Sequence, residues 1–139
     1  MDIEALKSHI YDVVGALYEV HRELGPGLNE VVYQEALAME LKLSNIPFKK
    51  EYTFNPQYKG MPLETTYRLD FLCKGDIVIE CKSVVELNIN HRAQLFNYMR
   101  LLGLPSGILV NFATKYAKIE RYFYDSERKT ILNVYGQPL

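Results

Sequence analysis

Apolar residues recur at steps of three and four in the first third of the chain, which is the helical period. The first repeat runs from Ile3 to about Leu24 and ends at Gly25-Pro26-Gly27. The second opens near Asn29, a residue suited to a helix N-cap, and continues to about Leu43. We expect its buried face to carry Val32, Ala36, Met39 and Leu43. The pattern predicts two amphipathic helices joined by a short loop.

Beyond Pro47 the hydrophobic period changes to two, with one return to the helical period from about Asn90 to Leu102. The predicted strands are Glu51–Tyr58, Thr65–Cys73, Ile77–Ser83, Gly107–Phe112 and Ile119–Tyr124. Pro56 favours an edge position for the first strand, since proline cannot donate a ladder hydrogen bond. The nearly all-apolar fourth strand is typical of a central strand covered on both faces. We therefore expect an α/β (α+β) fold with a central mixed β-sheet flanked by helices.

Size and composition place these elements in one ordinary globular domain, residues 1–139. Two cysteines without CxxC spacing argue against zinc and favour a reducing, cytoplasmic location. The N-terminus does not resemble a secretory signal, and no apolar run is long enough for a membrane span. A net charge of −1 is unusual for a tight nonspecific nucleic-acid binder, although segregated charges would still permit binding of nucleic acid.

The two middle strands form a predicted hairpin around Gly75. Its apolar sets are Leu69, Phe71 and Cys73 on the first arm and Ile77, Ile79 and Cys81 on the second. A hairpin that buries one face must align these sets, so Asp70 falls opposite Glu80, with Cβ atoms about 4.5–5.5 Å apart. Lys82 lies two residues further along the same face.

Two facing carboxylates repel each other, and three arrangements relieve that repulsion. The pair can share a proton, which raises one pKa. Lys82 or Arg68 can neutralise one charge, or a divalent cation can bind between the two acids. Mg²⁺ accepts one or two carboxylates together with waters and a phosphate oxygen, so the set suits metal-assisted hydrolysis of a phosphodiester.

These residues carry a family resemblance. Asp70 followed by Glu80-Cys81-Lys82 resembles the signature of the PD-(D/E)XK nuclease superfamily. Gln94 and Tyr98, on the next helix, resemble the Gln-x-x-x-Tyr element of RecB-type nucleases. The segment Gly27-Leu28-Asn29-Glu30-Val31-Val32-Tyr33 resembles the pattern that names the GxxExxY family, a branch of that superfamily. There are two departures: Leu69 replaces the superfamily's leading proline, and Cys81 stands where an aliphatic residue is usual.

The resemblance implies a restriction-endonuclease-like core and a nuclease that uses Mg²⁺ (or Mn²⁺) on nucleic acid, with DNA as the expected substrate. The implied metal ligands are Glu30, Asp70, Glu80 and the backbone carbonyl of Cys81. Lys82 would position or activate the attacking water. Gln94, with Tyr98, would orient Lys82 or a substrate phosphate, and His91 and Arg92 would contact the phosphate backbone.

Other interpretations of the same residues stay open at this point. The acids and bases of the hairpin also suit a solvated sheet face with cross-strand ion pairs. Glu30 stands in a first helical turn, where a carboxylate is favourable in any protein, and Tyr33 is expected in the core. The alternatives to a nuclease are a non-catalytic module that binds nucleic acid or protein and a regulatory protein without a site. A homodimer or a partner protein is compatible with each.

Overall fold

The computed structural model describes all 139 residues. It contains three helices and eight strands, numbered here in chain order. The helices are α1 (Ile3–Leu24), α2 (Glu30–Leu43) and α3 (Ile89–Leu102). The strands are β1 (Phe48–Phe54), β2 (Gln57–Tyr58), β3 (Met61–Pro62), β4 (Tyr67–Cys73), β5 (Ile77–Lys82), β6 (Ser106–Asn111), β7 (Lys118–Asp125) and β8 (Thr130–Leu132).

Six of the strands form one mixed sheet in the order β1-β4-β5-β6-β7-β8. Only β5 and β6 run parallel, joined by α3, and the other neighbours are antiparallel. Every residue of β6 is buried, which confirms the predicted central strand. The mixed sheet with helices packed on it confirms the predicted fold class and fits a restriction-endonuclease-like fold.

Two hydrophobic clusters lie on opposite faces of the sheet. The larger packs α1 and α2 against side chains such as Phe71, Ile79 and Val110. The smaller packs α3 against side chains such as Leu72, Val78 and Leu109. Burial on both faces is what makes the central strands almost continuously apolar.

The turn end of the β4–β5 hairpin is fastened to α1. His9 Nε2 lies 2.8 Å from Asp76 Oδ1, and Lys74 Nζ donates to Asp12 Oδ1 at 2.8 Å and to the carbonyl of His9 at 2.9 Å. These contacts fix one end of the hairpin, while its other end carries Asp70 and Glu80.

Several predicted details differ from the structure. The strand expected at Glu51–Tyr58 is β1, Phe48–Phe54, followed by the separate strand β2. The short strands β3 and β8 were not predicted, because segments of two or three residues carry no measurable periodicity. The predicted buried face of α2 is wrong: Met39 and Leu43 are exposed, and the buried residues are Tyr33, Leu37 and Leu41. None of the helices combines the length and apolar character needed to cross a membrane.

Tyr33 anchors the loop that precedes α2. Its side chain is fully buried, as expected, and its ring stacks on Phe112 with centroids 4.5 Å apart. The hydroxyl donates to the Gly25 carbonyl at 2.6 Å and accepts the Leu28 N–H at 3.1 Å. Tyr33 therefore ties the loop before α2 to the core, one helical turn after Glu30.

Replacing Tyr33 by phenylalanine tests this tie. The ring stack remains, but two loop groups lose a partner, so we expect a loss of about 1–3 kcal/mol in the free energy of unfolding. Chemical denaturation measures it. Tyr11→Phe is the matched control, because Tyr11 is 80% exposed. An equal response of both variants would contradict a structural role for the Tyr33 hydroxyl.

Candidate active site

The β4 and β5 strands separate where the two acids lie. Regular pairing links Cys73 to Ile77 and ends with Phe71 opposite Ile79. At the next position two side-chain bonds take the place of the ladder: the Asp70 N–H donates to Glu80 Oε2 at 2.7 Å, and the Cys81 N–H donates to Asp70 Oδ2 at 2.8 Å. The expected register is thus kept, but each carboxylate is inserted against the backbone of the opposite strand.

This arrangement leaves one oxygen of each carboxylate without a hydrogen bond, namely Asp70 Oδ1 and Glu80 Oε1. Glu80 as a residue is only 2% exposed. The single buried side-chain polar atom without a partner is the hydroxyl of Ser106, so neither free carboxylate oxygen is sealed in the interior. Each acid is thus oriented by a backbone bond to one oxygen and keeps its other oxygen for a further partner.

A chain of hydrogen bonds holds Lys82 beside this pair. Lys82 Nζ donates to Gln94 Oε1 at 3.0 Å, Gln94 Nε2 donates to the Tyr98 hydroxyl at 3.2 Å, and that hydroxyl donates to the Arg68 carbonyl at 3.2 Å. Gln94 and Tyr98 lie one turn apart on α3, so both reach the same face. The chain fixes the amide orientation of Gln94 and makes its oxygen the acceptor for the lysine.

Glu30 approaches the site from α2. It lines a groove with the loop before α2, the loop after β5 and the loop after β6. Its charge and those of Asp70 and Lys82 influence one another. No group of three or more His, Cys, Asp or Glu side chains is arranged to hold a metal ion, whereas Asp70 and Glu80 are each bonded to the other's strand. The pair of Asp70 and Glu80 is therefore the acidic centre of the site.

The side chains of His91 and Arg92 already have hydrogen-bond partners within the protein. Arg92 forms a two-pronged ion pair with Glu120 on β7, at 2.7 and 2.8 Å. His91 Nδ1 accepts the Asn88 N–H at 3.1 Å as part of the capping box of α3. The sequence does not reveal these partners, and the expectation that both residues contact the phosphate backbone stays a prediction. Contact by Arg92 would require it to share or exchange its partner Glu120.

Burial and like charge raise the pKa values of the acids. Burial, and then the neighbouring Asp70, raises the pKa of Glu80 to about 8. Burial also raises the pKa of Asp70, while the Cys81 N–H and the Lys82 charge oppose that shift. The pKa of Glu30 is raised by burial and by Asp70 and lowered by Lys82. The site therefore stabilises added positive charge.

Asp70 also marks a reversal in the packing of β4. The predicted apolar set of Leu69, Phe71 and Cys73 is wrong in one member: Phe71 and Cys73 pack under α1 and α2, but Leu69 packs under α3. Strand alternation is interrupted between Leu69 and Phe71, so the Asp70 side chain turns toward β5 and not toward either face.

Two site residues were missed or underrated. Glu51 on β1 lies close enough to Asp70 for its charge to raise the pKa of Asp70. Arg68 is exposed, makes no ion pair, and lowers the pKa of Asp70. The sequence suggested Arg68 only as an ion-pair partner, and it contains no signal for Glu51.

Comparison with known proteins adds an independent finding. The model of a family described as the PD-(D/E)XK nuclease superfamily matches residues 7–122, a range that includes Glu30, Asp70, Glu80, Lys82 and Gln94. No curated protein and no solved structure matches the chain.

The raised pKa of Glu80 predicts a pH-dependent stability for the metal-free protein. An unperturbed glutamate ionises near 4.5, and Glu80 in the folded protein ionises near pH 8. Between these values the folded state binds more protons than the unfolded state, so stability falls as the pH rises through this window. Glu80→Gln cannot ionise, and we expect its melting temperature at pH 8 to exceed that of the wild type by about 3–8 °C.

Thermal unfolding at pH 5 and pH 8 in the presence of a chelator measures this difference. Glu127→Gln, at an exposed position in the β7–β8 turn, is the control. Parallel pH profiles for wild type and Glu80→Gln would contradict a raised pKa at Glu80.

Proposed function

The chain belongs to the PD-(D/E)XK nuclease superfamily, and on that premise we propose that it is a Mg²⁺-dependent nuclease that hydrolyses phosphodiester bonds in DNA. The observation that carries the proposal is the pair of carboxylates on separating strands, of which Glu80 is buried and Asp70 half-buried. Each acid is anchored by a backbone N–H and keeps one oxygen free, and a lysine lies two residues beyond the second acid.

The donor set fits a hard divalent cation. Mg²⁺ is bound in proteins by one or two carboxylates, with waters and substrate oxygens in the remaining positions. Asp70 and Glu80 would supply the carboxylates, and the Cys81 carbonyl would join them, since in a strand it points to the same side as the Cys81 N–H. Glu30 would act through a water. When bound, the cation supplies charge for the transition state and lowers the pKa of a coordinated water.

Lys82 is proposed to orient the attacking water and to stabilise negative charge that develops on the phosphate. One of its N–H groups is bonded to Gln94, which leaves the others directed by that bond. Gln94 and Tyr98 therefore act as positioning residues for Lys82. Arg68 joins His91 and Arg92 in the proposed role of phosphate contact, because it is exposed and free of ion pairs, whereas Arg92 is paired with Glu120.

The finer assignments belong to the same proposal. The Gly27, Glu30 and Tyr33 pattern supports membership of the GxxExxY branch, and Gln94 with Tyr98 supports a RecB-type core. Buried free thiols at Cys73 and Cys81 support a reducing, cytoplasmic location. A net charge of −1 supports substrate binding shared with a second copy or a partner protein.

One alternative is favoured by a specific observation. His91 and Arg92 are already bonded within the protein, which suits a non-catalytic module that keeps the nuclease fold and binds a protein partner. Such a module would bind its target equally well with Asp70 or Lys82 replaced. A nuclease would lose turnover in those variants.

Cleavage assays test the proposal directly. We expect purified protein with Mg²⁺ or Mn²⁺ to cut DNA and to stop when a chelator is added. Asp70→Ala and Lys82→Ala should each lower the rate by about a hundredfold or more. Lys59→Ala, a turn lysine, is the control. The proposal fails if the wild type neither binds these cations nor cuts single-stranded, double-stranded or branched DNA, or RNA.

The hydrogen-bond chain to Lys82 gives a second test. Gln94→Ala removes the acceptor of Lys82 but no proposed metal ligand, so we expect kcat to fall about tenfold with little change in Mn²⁺ affinity. Calorimetric titration and single-turnover cleavage measure the two quantities. Asn97→Ala, on the exposed face of the same helix, is the matched control. Unchanged kcat in Gln94→Ala would remove Gln94 from the proposed mechanism.

A further inference from the structure

One residue of β1 has a backbone conformation that its strand does not explain. Glu51 has φ +56°, in the left-handed region that a residue with a side chain seldom adopts. Four other non-glycine residues share this sign of φ, namely Asn45, Lys59, Lys74 and Lys129, and all four lie in turns. Glu51 alone lies inside a strand, with paired residues on both sides.

The distortion faces Asp70. On β1 and β4, Lys50 pairs with Phe71 and Tyr52 pairs with Leu69, in one unshifted register. The pair between them, Glu51 with Asp70, is the one that is missing. No residue has been inserted, so this is not a bulge. The backbone of β1 instead rotates locally at Glu51, next to Asp70.

At this level, the side chains of both strands change the face of the sheet toward which they point. Phe48 packs with the cluster under α1 and α2, whereas Tyr52, four residues on, packs with the cluster under α3. Residues four apart in a regular strand share a face. Phe71 and Leu69 on β4 show the same exchange. The two strands thus rotate together about Glu51 and Asp70.

The side chain of Glu51 does not account for this rotation. It is exposed and makes neither a hydrogen bond nor an ion pair. The edge position of β1 makes the rotation possible, because its outer side has no ladder to break. What remains at this position is the backbone conformation itself, and backbone strain of this kind persists where the surrounding structure requires it.

We propose that Glu51 is a positioning residue whose left-handed backbone rotates β4 and thereby delivers the Asp70 carboxylate to the Cys81 N–H. In a regular β1–β4 ladder, Asp70 would point to one face of the sheet, away from β5. The rotation points it along the sheet, where it accepts the Cys81 N–H at 2.8 Å. The inference rests on the proposed function only in its consequence for metal binding.

Substitutions that differ in their tolerance of positive φ test it. Glycine adopts this conformation freely, glutamine matches glutamate in shape without its charge, and valine resists it strongly. The variants are therefore Glu51→Gly, Glu51→Gln and Glu51→Val. Lys129→Val is the matched control, since Lys129 has φ +53° in the β7–β8 turn.

Two measurements report on Asp70. The first is the NMR shift and hydrogen-exchange protection of the Cys81 amide, which reads the bond to Asp70 without any metal. The second is Mn²⁺ affinity by calorimetry. We expect Glu51→Val to alter the Cys81 amide and to weaken Mn²⁺ binding by about tenfold or more, the range seen when a group that orients a ligand is removed. Glu51→Gly and Glu51→Gln should leave the Cys81 amide unaltered and, since both lose the same charge near Asp70, should show the same smaller change in Mn²⁺ affinity. Lys129→Val should lower stability alone.

Two results would overturn the inference. An unaltered Cys81 amide in folded Glu51→Val would show that the backbone of residue 51 does not place Asp70. Equal losses in Glu51→Gly and Glu51→Val would assign the effect to the side chain. If Glu51→Val does not fold, Glu51→Ala takes its place, with restoration by glycine as the decisive comparison. A wild type that fails to bind Mn²⁺ would overturn the proposed function, and the amide measurement would still decide the role of Glu51.

Discussion

Two carboxylates occupy the place where the backbones of β4 and β5 would otherwise bond to each other. This substitution is the constraint on which the site depends, because it satisfies two backbone N–H groups and separates the strands in one step. It also commits the protein to holding two acids in a low-dielectric position, with the electrostatic cost that their raised pKa values record. A cation bound between the two acids would lower this electrostatic cost. The carboxylate pair therefore underlies both the separation of the strands and the proposed chemistry.

Each surrounding helix supports one part of the site around the carboxylate pair. The helix α3 covers the face of Glu80 and carries the amide and hydroxyl that orient Lys82. The helix α2 brings Glu30 to the rim, and Tyr33 secures the loop on which that approach depends. The contacts of α1 to Lys74 and Asp76 hold the turn of the hairpin. The hairpin is therefore held in place at its turn, while its two strands separate at the end that carries Asp70 and Glu80.

Periodicity was sufficient to predict the long helices, the central strands and the register that aligns Asp70 with Glu80. It could not predict the reversal at Leu69, because alternation assumes a regular strand and the reversal depends on a dihedral angle of a residue in another strand. It also misplaced the buried face of α2 by one position, since that helix is apolar on most sides and only its neighbours decide what is buried. The pairing of Arg92 with Glu120 is a contact between distant segments that no local pattern encodes.

The single parallel pair in the sheet has a consequence for how this protein can change. Because β5 and β6 run in the same direction, the loops that follow them open at the same edge, and together with the loop before α2 they form the groove beside Glu30. The proposed catalytic groups stand on strands and helices, whereas the walls that a substrate would meet are loops. The residues proposed for recognition and those proposed for chemistry thus lie in separate parts of the chain. The loops can therefore change to suit a new target while the acid pair and its lysine stay in place.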